Sequence, residues 1–196
     1  MGAKGEETRA RLIAGTRELI EQHGYSGTGL NQVLAVTGAP RGSLYFHFPG
    51  GKDQLVAAAL LQSGQEVADL LTGLAADGAD AAALSRHLTE VFADRLARSD
   101  YTKGCPVATV ALEVAGTNEA LRAVCAEVYE GWQRILAEQL TAGGFRPAEA
   151  AVAAGQALAL LEGAVLLASV RRSREPLDDA RHAVLHLLGA KASGRS

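Results

Sequence analysis

TGLNQVLAVTGAPRGSLYFHFPGGKDQL, residues 28–55, is the stretch whose reading decides the fold. Leu30, Val33 and Leu34 stand at i, i+3 and i+4, an apolar stripe for one short helix. Thr37, Gly38, Ala39 and Pro40 break that pattern. Glycine tolerates the left-handed conformation that ends helices, and proline suits a first helical position. A second short helix is expected over Arg41–His47, with Leu44 turned inward and Phe48 packing beneath it. Two short helices joined by a glycine-containing turn make a helix-turn-helix, the unit that sets its second helix in the DNA major groove. The outward positions of that second helix are Arg41, Gly42, Ser43, Tyr45 and His47, each a hydrogen-bonding group or a residue that allows close approach. Lys52 follows at the start of the next helix, where free N–H groups and a positive dipole end favour a phosphate.

The run from Gly38 to Phe48, with Lys52 and Leu55 behind it, resembles the DNA-binding signature of TetR/AcrR-type regulators. LYFHF followed closely by lysine is more specific than a generic helix-turn-helix pattern. The two-glycine form, Phe48-Pro49-Gly50-Gly51-Lys52, is one residue longer than the usual spacing. It is similar to the branch that includes lincomycin-resistance repressors, as is Gly104-Cys105-Pro106-Val107-Ala108. Two positions depart from the broad pattern: Pro40 stands where Ser or Thr is usual, and Gly29 where Thr is usual. The expected DNA-facing set is Thr28, Asn31, Arg41, Gly42, Ser43, Tyr45, Phe46, His47 and Lys52. The resemblance implies a homodimer on an operator, a small-molecule inducer, and control of efflux or resistance genes.

Composition sets the outer bounds. A chain of 196 residues, 48% hydrophobic and 21% charged, has the make-up of a soluble globular protein with a sizeable core. No charge-free apolar run reaches about 18 residues, so no membrane span is expected. The first residues, MGAKGEE, lack the apolar core of a signal peptide, and two cysteines are too few for a disulfide framework; both point to the cytoplasm. The net charge of −3 is unevenly spread: residues 1–52 sum to +2 and residues 53–196 to −5. A mildly basic head on an acidic body orients the molecule toward phosphate.

The remaining sequence reads as helices, with no strand pattern. The expected architecture is all-α: a three-helix head, 1–51, with Leu19, Val33, Leu44 and Phe48 in its core, and a larger helical bundle, 52–196, for ligand binding and dimerisation. A first helix is expected over residues 6–23, and Gly24 stops it. A long helix opens at residues 51–54 and runs to about Leu74, and further helices follow over 81–98, from Pro106, from Asn118 as N-cap, from Pro147 and over 177–188; the tail from Ala190 is expected to fray. The Pro147 helix is apolar nearly all round from Val152 to Val170, so burial on more than one side is expected.

Two features of this body bear on function. Gly155, Ala159 and Gly163 recur at four-residue spacing, followed by Leu166 and Val170; with Val184 and Leu188 on the last helix they form the expected dimer seam. Phe92, Tyr101, Cys105, Glu113, Tyr129, Trp132, Gln133 and Gln156 are the aromatic and polar residues amid the aliphatic bundle, the expected lining for a flat, largely apolar ligand. Enzyme readings lack support: the five histidines are scattered, and His182 and His186 have no third ligand nearby, so no metal or cofactor is expected. Cys105 and Cys125 read as small buried hydrophobes. The sequence thus points to a ligand-responsive transcriptional repressor, with a helical small-molecule-binding protein lacking operator-specific binding as the rival.

Overall fold

The structure, a computed structural model, describes residues 2–189; the tail from Ala190 lies outside them. The described residues form nine helices and no strand: α1 (Ala3–His23), α2 (Leu30–Thr37), α3 (Arg41–His47), α4 (Gly51–Ala76), α5 (Ala81–Arg98), α6 (Pro106–Val114), α7 (Glu119–Ala142), α8 (Pro147–Arg171) and α9 (Glu175–Gly189). Breakers and caps set these bounds. Gly38 ends α2 at φ 62°, Asp80 caps α5 by accepting from Ala83 N–H at 2.7 Å, and Asn118 caps α7 by accepting from Leu121 N–H at 3.1 Å. Pro40 provides no side-chain cap for α3.

The chain divides into two compact units, Met1–Gly64 with Pro106–Val128 and Gln65–Cys105 with Tyr129–Ser196. The expected boundary at 51/52 follows sequence order; compactness instead joins α6 and the first part of α7 to the head, and α4 and α7 each continue from one unit into the other.

In the first unit α1 packs on α2, α3 and α6. Leu12, Leu19, Ile20, Val33, Leu44 and Phe48 are buried, and burial of such side chains stabilises by about 1.5–3 kcal/mol each. The Arg9 guanidinium lies 5.5 Å from the Phe48 ring centroid. At the end of α1, Gly24 takes φ 70°, and a Cβ there would drive into the Glu113 carboxylate. Only glycine meets both demands.

In the second unit α8 packs on α9 and α5, and α5 on α9. Ala150, Ala154, Ala157, Leu161, Ala164 and Ala168 of α8 are buried there, and Arg174 pairs with both Glu90 oxygens at 2.6 and 2.7 Å. The expectation that α8 is buried on several sides is corrected within the protomer. Val152, Leu160, Leu166, Leu167 and Val170 stay exposed on its far side, Val170 at 75%. Among the described residues α8 is the one helix long and apolar enough to cross a membrane, and Glu162 interrupts it.

Candidate nucleic-acid interface and ligand site

α3 is a seven-residue helix held from below by Leu44 and Phe48, both fully buried. Its upper surface is therefore fixed in direction. Arg41, Gly42, Tyr45 and Phe46 are exposed, Ser43 and His47 half-buried. Phe46 is 72% and Tyr45 44% exposed, which is unusual for large aromatic side chains next to a packed core. His47 meets Phe46 edge-on, 5.1 Å between centroids at 80°. Asn31 is exposed at the start of α2.

The turn after α3 accounts for the two-glycine spacing. Gly51 N–H donates to Phe48 C=O at 2.8 Å, and Gly51 takes φ 69°, a left-handed conformation that a side chain strains. Gly50 N–H donates to the Gln54 side chain at 2.9 Å. Lys52 follows in the first turn of α4, its ammonium 4.1 Å from the Tyr25 ring centroid. The aromatic face positions the charge while leaving its donors available.

Thr28 is a correction. It is 1% exposed, and its hydroxyl donates to Gly24 C=O at 2.7 Å, so it secures the α1–α2 turn rather than meeting DNA. At the start of α2 the Gln32 side chain reaches back and accepts from Gly29 N–H at 2.8 Å.

Behind this surface lies a polar cluster that sequence reasoning placed elsewhere. Glu113, expected beside a ligand, accepts from Tyr25 N–H and Ser26 N–H, both at 2.8 Å, and so ties α6 to the turn leaving α1. Partial burial pushes its carboxyl up, but the Ser26 and Tyr25 hydrogen bonds and the Lys52 charge outweigh that, and the net shift is downward. The Tyr25 hydroxyl donates to Asp53 at 2.6 Å, and Asn118 donates to the other Asp53 oxygen at 2.8 Å. That hydrogen bond to Asp53, then burial, raises the Tyr25 pKa. The partners are 28 to 88 residues apart in sequence, beyond the reach of any periodicity.

The second unit gathers part of the expected ligand set along one ridge of α8. Gly155, Glu162 and Ser169 stand at i, i+7 and i+14, on one side of the helix. A Cβ at Gly155 would be 3.5 Å from Gln133 Nε2, and Ser169 Oγ donates to Tyr101 C=O at 2.9 Å. The Cys105 thiol and the Tyr129 hydroxyl act on Glu162 between them. Tyr129 meets Trp132 edge-on, 5.7 Å between centroids at 83°, and Trp132 is 2% exposed. Asp100 and Tyr101 both hold positive φ, 49° and 61°, just before the Gly104-Cys105-Pro106 connector. Phe92 is buried on α5. Gln156 points elsewhere, into a groove of about 270 Å³ lined with Phe145, Val152 and Leu187. Glu162 escaped the sequence reading, although a lone acid inside an apolar run from Val152 to Val170 was visible there.

The expected dimer set also divides. Ala159, Gly163, Leu166 and Val170 lie on the exposed side of α8. Val184 and Leu188 do not: both are buried within their own unit, and Gly155 faces Gln133. The exposed aliphatic row of α8 also includes Val152, Leu160 and Leu167.

Residues 12–59 match the family described as bacterial regulatory proteins, tetR family. Residues 81–183 match the C-terminal domain described as transcriptional regulator LmrA/YxaF-like. The chain is 35% identical over 193 residues to the uncharacterized HTH-type transcriptional regulator Rv0196 of Mycobacterium tuberculosis, covering 96% of this chain and 97% of that one. It is 32% identical over 175 residues to the HTH-type transcriptional regulator LmrA of Bacillus subtilis, covering 87% and 91%. The crystal structure of a TetR transcriptional regulator from Chloroflexus aurantiacus superimposes with a TM-score of 0.78 at 30% identity, covering 98% of each chain.

Proposed function

The chain belongs to the TetR family of bacterial regulatory proteins, a DNA-binding transcriptional regulator, and on that footing we propose that it is a repressor released by a small molecule. It acts in the cytoplasm as a homodimer on a near-palindromic operator. Its inducer is small and largely apolar or aromatic, is bound without being turned over, and lifts repression of efflux or resistance genes.

The observation that supports this best is the surface of α3: Arg41, Tyr45 and Phe46 exposed on a helix pinned by Leu44 and Phe48, with Lys52 beside it at a helix N-terminus. Arginine and the hydroxyl groups read base edges, and Lys52 holds a phosphate. Two such heads engage half-sites about 34–36 Å apart, or a multiple of that, so a shift of a few Å puts them out of register. The exposed aliphatic row of α8 takes up the second copy.

Induction uses differential affinity. A ligand in the second unit favours one arrangement of α4, which carries Lys52 in its first turn, and of the segment that enters α6, which carries Glu113. Moving α6 moves the Tyr25–Ser26 turn that Glu113 holds. A coupling of about 1–3 kcal/mol weakens operator binding roughly 5–150-fold. Reciprocity supplies the test: an inducer found by thermal-shift screening is titrated with Trp132 fluorescence as readout, with and without operator DNA. The ligand's affinity must fall by the same factor by which it weakens operator binding. Equal affinity in both conditions leaves a ligand-binding protein uncoupled from its head and sinks the proposal.

A further inference from the structure

Glu162 is an odd residue for the place it occupies. It stands midway along α8, a helix whose neighbouring positions are alanine, glycine, leucine and valine. Both its carboxylate oxygens are buried, and the groups that act on them, the Cys105 thiol and the Tyr129 hydroxyl, carry no charge. These two hydrogen bonds favour the charged form too weakly to offset burial. Desolvation pushes the carboxyl up to about 7. Nothing in the packing of the unit calls for an acid here, since glutamine or leucine would fill the space at lower electrostatic cost. No cation of the protein is among the groups that act on this carboxyl, and a bound cation would hold it in its charged form.

The surroundings specify what that is. On α7 the Tyr129 and Trp132 rings, set edge-on at 83°, form an aromatic pair whose Tyr129 member also acts on Glu162. Further along the same ridge of α8, Gly155 leaves room next to Gln133 and Ser169 is occupied by Tyr101 C=O. One acid, an aromatic pair and apolar walls make a receptor for an organic cation with a flat apolar body. We propose that Glu162 anchors a ligand whose protonated amine pairs with its carboxylate while an attached aromatic ring system packs against Tyr129 and Trp132. This deepens the inducer reading given above and rests on it.

The test uses the full-length dimer and matched pairs of arylalkyl probes with one, two or three rings, each an amine beside its isosteric alcohol and its phenol analogue. Binding is followed by quenching of Trp132, the single tryptophan of the chain. Wild type is expected to bind the best amine at least tenfold more tightly than its alcohol. Glu162→Gln removes that preference to within about twofold. Glu162→Asp, which restores a carboxylate on a shorter stem, keeps part of it. Thermal melts of both variants establish that they fold. Equal binding of amine and alcohol, a preference for the phenol, or an amine preference that survives in Glu162→Gln overturns the assignment of Glu162 while leaving a ligand site in place. Failure of every probe overturns the ligand-site reading itself, and this proposal with it.

Discussion

α3 and α8 both leave in the open side chains that an isolated protomer would hide, and they do so with different chemistry. On α3 the exposed apolar groups are Tyr45 and Phe46, with Arg41 on the same short helix and Lys52 just beyond it. On α8 they are Val152, Leu160, Leu166, Leu167 and Val170, with small Ala159 and Gly163 between them. Exposure is common to both; what accompanies it differs. Cations and hydroxyls among the aromatics suit a phosphate backbone and base edges. An aliphatic row suits another surface of the same kind, such as a second copy of the chain would offer.

The sharpest break of that contrast is at α3. The triple variant Arg41→Ala, Tyr45→Ala, Lys52→Ala should lose operator binding more than about 100-fold, since each such contact contributes about 1–3 kcal/mol. Circular dichroism and sedimentation should be unchanged, because none of the three belongs to the core. Wild-type affinity in this variant would move the reading surface off α3.

The next test is at α8. A Cβ on Gly163 meets nothing within 4 Å in the protomer, so Gly163→Leu has no internal reason to destabilise. In a dimer seam the same change overpacks by about 1–3 kcal/mol. Sedimentation should show a shift toward monomer, and operator affinity should fall with it. A variant that remains fully dimeric would place the seam elsewhere.

Glu113 tests whether the head is self-supporting. Glu113→Ala leaves the Tyr25 and Ser26 N–H groups without their acceptor, at about 1–3 kcal/mol, and thermal melting should fall accordingly. Because its folded pKa is lowered, the wild-type contribution is present above the ordinary carboxyl pKa of 4.5 and lost as pH falls through the folded value. The gap between wild type and variant should therefore narrow in acid. A gap that does not change with pH would dissociate the carboxylate from the effect.

Glu162 gives the smallest shift and the opposite sign. Its folded pKa, about 7, lies above its ordinary 4.5, so the folded state favours the neutral acid and stability declines as pH rises between those values. Glu162→Gln should match wild type near pH 4.5 and exceed it by about 1 kcal/mol above pH 7, after allowance for relaxation around the charge. A variant less stable than wild type at pH 8 would mean that the carboxylate is already compensated in the empty protein.

How far these features could be read from sequence depended on whether a local pattern encoded them. The bounds of α3, α5 and α6 follow from Pro40, Asp80 and Pro106, residues that act on their own neighbourhood. The head core follows from the spacing of Leu19, Val33, Leu44 and Phe48. The outward face of α3 is the complement of Leu44. By contrast, α8 is apolar nearly all round, so periodicity could not say which side faces the protomer. That is why Val184 and Leu188 were placed in the seam and Val152 and Leu160 were not. Thr28 turned inward because Gly24 C=O lies within reach of its hydroxyl, a contact set by the turn. Glu113 reached the head because α6 packs on α1, a pairing across 88 residues that no window contains.

That last pairing bears on how such proteins can be recombined. A chimera that exchanges heads by cutting the chain near residue 51 would separate Tyr25 and Ser26 from Glu113, and Tyr25 from Asp53, unless the recipient happens to offer the same acceptors. The portable cassette is discontinuous in the gene: Met1–Gly64 must travel with Pro106–Val128. A graft that respects both segments carries its own support with it.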